Sequence, residues 1–119
     1  MILSLDIKSL FSPAGNLTQA VIRLLERTNT KDKILLLFMD HTELFQTKLA
    51  YPELTVRALV SGRLMNYRDY LQSIKADSVS IMYGMFRPED VAEIHSAGVS
   101  VVLGGLWNPD TDLFRSVDI

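Results

Sequence analysis

Apolar and polar residues alternate along this chain in two rhythms, one of period two and one of helical period. Residues 1–8 (MILSLDIK) place Leu3, Leu5 and Ile7 on one strand face and Ile2, Ser4, Asp6 and Lys8 on the other. The apolar face is expected to be buried. Residues 34–39 (ILLLFM) are apolar at every position, the pattern of a strand covered on both sides. Residues 55–60 (TVRALV), 78–83 (SVSIMY) and 99–103 (VSVVL) complete a set of five expected strands.

Helical spacing fills the intervals. Residues 17–27 present Leu17, Ala20, Val21, Leu24 and Leu25 as an apolar stripe, with Asn16 as the expected cap. A shorter helix is expected over 42–50 and is stopped by Pro52. Asn66 is placed to cap a third helix over 67–74, with Tyr67, Tyr70, Leu71 and Ile74 on one side. Pro88 suits the first position of a fourth, Glu89 and Asp90 suit its positive end, and Gly98 suits a left-handed stop. Pro13 and Gly15 mark a loop after the first strand, and residues 111–116 have the makings of a last helical turn.

The order is β-α five times over, which requires right-handed crossovers and a parallel sheet. Two α/β architectures satisfy it. One is a section of a (β/α)8 (TIM) barrel, supplying strands four to eight. The other is an open flavodoxin-like sheet. A five-strand section cannot close, so its edges need cover, and self-association into a homo-oligomer is the expected way to supply it.

Composition narrows the function classes. At 119 residues the chain is one domain, and 48% apolar with 22% charged residues is the profile of an ordinary globular protein. It has no cysteine, which removes disulfides, zinc–thiolate sites and thiol nucleophiles. A formal charge of −2 gives no electrostatic reason to expect a nucleic acid as partner. The longest apolar run is too short to cross a bilayer, so no membrane span is expected. No signal peptide is visible, and localisation is left open. A chain that opens inside a strand also suits a piece of a longer protein.

Familiar motifs are few. Neither G-x-x-x-x-G-K-[ST] nor G-x-G-x-x-G occurs, and Gly104-Gly105 reads as a turn at a strand end. A receiver-type site is weakly supported, because Asp6 has no acidic neighbour and the third strand ends in Val60-Ser61-Gly62. His41 and His95 have no ligand spacing, and His41 has no evident partner, so both read as structural. The methionines and aromatics read as core. Asp6 and Lys8 stand at the carboxyl end of a strand, where parallel α/β proteins build their sites. They are either part of a site or a solvated pair.

Four segments together resemble the carboxyl-terminal part of the glycerophosphodiester phosphodiesterases, which are TIM barrels. Asp6-Ile7-Lys8 resembles that family's E-x-K strand. Tyr51-Pro52-Glu53-Leu54 resembles its PEL segment before a strand. Ala76-Asp77-Ser78-Val79 resembles its AD-x-V strand, and Ala97-Gly98-Val99-Ser100-Val101 its AG-x-x-V ending. The resemblance implies a metal-dependent phosphodiester hydrolase as ancestor or relative. It implies Asp6 as a ligand of a divalent cation (Ca²⁺ or Mg²⁺), Lys8 as a contact to the phosphate of a small phosphodiester, and Trp107 as a substrate-side wall.

The chain also departs from the family. Asp stands where the family has Glu, and the upstream His-Arg, E-x-D pair and second histidine have no counterpart here. The last strand lacks W-T-x-N. No catalytic residue is assigned, and the chain alone is expected to be inactive or nearly so. The alternative is a non-catalytic ligand-binding or assembly domain.

Overall fold

A computed structural model of the chain describes residues 3–7, 16–82, 84–104 and 117–118. Its elements are β1 (Leu3–Ile7), α1 (Asn16–Thr28), β2 (Ile34–Phe38), α2 (His41–Ala50), β3 (Thr55–Val60), α3 (Tyr67–Ser73), β4 (Ser78–Met82), α4 (Pro88–Ser96), β5 (Ser100–Gly104) and β6 (Val117–Asp118). A turn of 3₁₀ helix, Lys31–Lys33, leads into β2. Strands β1 to β5 pair in parallel and in chain order. A flavodoxin-like sheet reverses direction after its first unit and runs 2-1-3-4-5. The observed order therefore excludes that alternative and leaves the barrel section, in which every crossover returns on the same side.

One face of the sheet makes the core. Leu36 and Phe38 of β2 lie level with Val56 and Ala58 of β3, Ala58 with Val79 of β4, and Val79 with Val101 of β5. These side chains are fully or almost fully buried against Ile22 and Leu25 of α1, Leu44 of α2, Tyr67 and Leu71 of α3, and Ile94 of α4. Burial of each large side chain contributes about 1.5–3 kcal/mol.

The helices begin and end where local chemistry dictates. Asp40 caps α2 by accepting from the Thr42 and Glu43 amides at 3.0 and 3.2 Å. Asn66 caps α3 through the Asp69 amide at 2.9 Å. Gly98, at φ +75°, closes α4 with its amide on the His95 carbonyl.

Three expectations need correction. On β1 only Ile7 is buried; Leu3 is 57% and Leu5 37% exposed. The reason is that β1 is an edge strand, paired with β2 alone among the described residues. On α1 the buried row is Thr18, Ile22 and Leu25, whereas Leu17 and Leu24 are exposed. A polar contact fixes that rotation: the Thr18 hydroxyl donates to the buried Glu43 carboxylate of α2. The third is the sixth strand. Two-residue β6 pairs antiparallel with β5, through Val102–Asp118 and Leu103–Val117. A strand that short leaves no periodic signal. Residues 111–116 and Gly105 lie outside the described residues.

An ion pair between the exposed Arg63 and the buried Asp90 braces the loop after β3 against α4. Arg63 donates from Nε and Nη2 to the two oxygens of Asp90, at 2.8 and 2.9 Å. Asp90 also accepts from the Arg87 amide at 2.9 Å and so closes the first turn of α4. The bonds from Arg63, supported by the Arg87 amide and outweighing burial, hold the Asp90 carboxyl below the ordinary carboxylate value. A depressed carboxylate stabilises the fold above its unfolded value, near 4, and loses that contribution as pH falls through the folded value.

Thermal melts of the unmodified chain and Asp90→Asn should therefore differ most at pH 7 and converge on acidification below about pH 4. A gap that does not narrow between pH 7 and pH 2.5 would contradict this origin. Tyr67 supplies a second expectation, since its hydroxyl is buried without a hydrogen-bond partner among the described residues. Tyr67→Phe removes that desolvated group and should stabilise the protein by about 1 kcal/mol in urea unfolding. A loss of stability would reveal a partner for the hydroxyl.

Candidate functional site

The sheet face opposite the core carries polar residues among leucines, where the core face is apolar throughout. Strand alternation assigns to it Ser4 and Asp6 of β1, Leu35 and Leu37 of β2, Thr55, Arg57 and Leu59 of β3, and Ser78 and Ser80 of β4. One register row runs Asp6–Leu37–Arg57–Ser78–Ser100 across all five parallel strands. Adjacent strands lie about 4.8 Å apart, so Asp6 and Arg57, separated by β2, are about 10 Å apart at the backbone. Asp6 is exposed, Arg57 half-buried and Ser78 buried. Arg57 donates from Nε to the Ser78 oxygen at 2.9 Å, and the Ser78 hydroxyl donates to the Ser100 carbonyl at 3.2 Å.

The carboxyl ends of the strands are held by side chains from the following helices. His41, the first residue of α2, has Nε2 at 2.8 Å from the Leu59 carbonyl, and Nδ1 in hydrogen-bond contact with the Tyr70 hydroxyl of α3. A carbonyl only accepts, so Nε2 carries the proton, and in the neutral ring Nδ1 accepts from Tyr70. Burial pushes the Tyr70 hydroxyl above its ordinary value, which keeps that proton in place. His41 thus has two partners where the sequence offered none, and they tie the start of α2 to the end of β3 and to the middle of α3.

Of the residues singled out by sequence, Asp6 stands on the polar face, one residue before the end of β1. Lys8 and Trp107 lie outside the described residues. Among the described residues no three His, Asp or Glu side chains come together as a metal site. A hard divalent cation needs about six oxygen ligands or more. Asp6 supplies one carboxylate, so the described residues do not by themselves fit the ion. Arg57 and Ser78 were not singled out by the sequence reading, although the alternation of TVRALV already opposes Arg57 to Val56 and Ala58.

Two surface depressions flank the sheet. One of about 440 Å³ lies among the loops at the carboxyl ends and is lined by Arg63, Leu64, Met65, Glu89, Asp90 and Glu93. The other, about 430 Å³, lies at the amino ends, beside Lys48, Leu49, Leu71, Lys75 and Val99. Parallel β/α sites form at the carboxyl ends, so the second is on the wrong side for chemistry. Its Lys48 is already engaged, with Nζ at 2.7 Å from the Leu54 carbonyl and 2.8 Å from Asp77. No described helix is long and apolar enough to cross a membrane.

Comparison with protein-family models and with curated proteins finds no match. Comparison with solved structures finds several. A provisionally named glycerophosphodiester phosphodiesterase from Galdieria sulphuraria superposes with a TM-score of 0.82 at 18% identity, over 96% of this chain and 48% of that one. A provisionally named glycerophosphoryl diester phosphodiesterase from Silicibacter pomeroyi DSS-3 gives 0.77 at 18% identity, over 88% and 40%. A glycerophosphodiester phosphodiesterase from Parabacteroides distasonis ATCC 8503 gives 0.71 at 12% identity, over 91% and 45%. The chain spans less than half the length of each. That share agrees with the carboxyl-terminal placement read from the order of the sequence motifs. In fold, this chain is a section of the barrel found in glycerophosphodiester phosphodiesterases.

Proposed function

We propose that this chain is a phosphodiesterase-related barrel section that supplies part of the electrostatic half of a phosphodiester-binding site and does not complete hydrolysis alone. The observation that carries the reading is the position of Asp6, on the polar face at the carboxyl end of β1 in a sheet wound as a barrel section. In this reading Asp6 offers one oxygen ligand to a divalent cation, Lys8 offers a point charge to a phosphate oxygen, and Trp107 walls the substrate. A general acid for the leaving alcohol has no candidate in the row of Asp6, Arg57 and Ser78. His41 is committed to Leu59 and Tyr70.

Hydrolysis of glycerophosphodiesters with Ca²⁺ or Mg²⁺, beside an Asp6→Asn control, tests this. The expected result is no turnover above the control in either metal. Metal-dependent turnover that disappears in Asp6→Asn would overturn the incomplete-site reading and show a self-sufficient enzyme.

A second reading, an assembly domain, is favoured by the open edge of β1. Leu3 and Leu5 present apolar surface beside backbone groups that no described strand pairs, while β6 already covers β5. A homo-oligomer joined through β1 is the form it takes. Light scattering should then report a mass above the monomer, and Leu3→Lys or Leu5→Lys should raise the dissociation constant about tenfold or more. A monodisperse monomer at high protein concentration would rule this assembly out.

A further inference from the structure

Two exposed apolar surfaces lie side by side at the open flank of the molecule. On β1, Leu3 and Leu5 follow the alternation of Ile7 to the helix side of the sheet and are 57% and 37% exposed. On α1, Leu17 and Leu24 are 38% and 48% exposed. Helix geometry fixes where those two leucines face. At about 100° per residue, Thr18, Ile22 and Leu25 form the row turned to the sheet, with Gln19 and Glu26 on one flank of it. That flank is the one beside α2, because Thr18 reaches Glu43 of α2 and Gln19 accepts from the Tyr51 hydroxyl just past it. Leu17, Val21 and Leu24 lie on the opposite flank. They therefore stand over the free edge of β1, where no described strand follows.

What fits this flank is set by its own pattern. It carries no charge, since Glu26 lies on the α2 side and Arg23 and Arg27 point to solvent. Its side chains are also symmetric about their middle, with Leu17 four residues before Val21 and Leu24 three after it. Two copies of α1 packed antiparallel bring Leu17 of each onto Leu24 of the other, and Val21 onto Val21. The strand has the same property. Two β1 strands paired antiparallel about Leu5 set Ser4 opposite Asp6 of the second copy, so no like charges meet. A two-fold axis normal to the sheet makes both pairings together and keeps both sets of helices on one side. The other edge of the sheet ends in the two-residue β6, which leaves β1 as the one long edge among the described strands. An assembly through it closes at two copies.

We propose that α1 and β1 form one isologous interface with a second copy of this chain, in which Leu17, Val21 and Leu24 pack antiparallel on the same residues of that copy. This rests on the reading of the chain as an assembly domain joined through β1, and adds to it the helix layer and the direction of pairing.

The test is sedimentation equilibrium of the 119-residue chain and its variants, with circular dichroism to establish that each is folded. Leu17→Lys/Leu24→Lys sets like charges against each other at both ends of the helix pair and should raise the dissociation constant about tenfold or more. Leu17→Glu/Leu24→Lys removes the same leucines but sets Glu against Lys of the second copy, and should associate severalfold more tightly than the double-lysine variant. Both positions are exposed in the single chain, so neither change disturbs its core. Dissociation constants of the two double variants within twofold of each other would overturn the antiparallel helix pairing. So would a comparable loss in Met65→Lys, which removes an exposed side chain from the loop after β3. If Leu3→Lys dissociates the assembly while both double variants associate like the unmodified chain, the α1 role fails and assembly through β1 stands. A monodisperse monomer at high concentration would sink both and leave the flank to an unlike β/α partner.

Discussion

One constraint organises this molecule: five parallel strands joined in chain order by right-handed crossovers must carry all their helices on one side. The sheet therefore has one apolar face and one face with different work to do. On the first, Leu36, Phe38, Val56, Ala58, Val79 and Val101 meet the helices and exclude water. On the second, the same strands present Asp6, Arg57, Ser78 and Ser100 in a single row. Alternation along each strand couples the two, since a slip of one residue would move the charges into the core and the aliphatics out of it.

The two ends of the sheet are secured by different means. At the amino ends Lys48, Asp77 and the Leu54 carbonyl knit α2 to β3 and β4, and the Asp77 carboxylate accepts from the Val56 amide. At the carboxyl ends the links pass through loops. His41 joins the Leu59 carbonyl to Tyr70, and Arg63 joins the loop after β3 to Asp90 at the start of α4. Loops that carry a site need bracing of this kind, because a ligand contact is only as well placed as the backbone that holds it.

The edges of the sheet explain the mismatch between a sound core and exposed leucines. In a closed barrel every strand has two neighbours and no edge exists. Here β5 meets β6, and β1 has β2 on one side only among the described residues. Leu3 and Leu5 follow the same alternation as Ile7 and point to the same face, yet only Ile7 reaches the packed interior. The solved structures that this chain resembles are about twice as long or longer, and it covers 40–48% of each.

Sequence by itself determined the β-α repeat, the helix caps at Asn66, Pro88 and Gly98, and the presence of Asp6 on a polar strand face. These are local properties, set by the spacing of neighbouring residues and by the conformations that Asn, Pro and Gly prefer. It left the barrel section and the flavodoxin-like sheet both open, because each uses the same units and only strand order separates them. Tertiary structure decided that order, the rotation of α1 through Thr18 and Glu43, and the exposure of Leu3 and Leu5. It also supplied the partners of His41 and Arg57, which lie 29 and 21 residues away at Tyr70 and Ser78. Contacts at such separations depend on how the strands are laid side by side, and no periodicity within a single strand or helix encodes them.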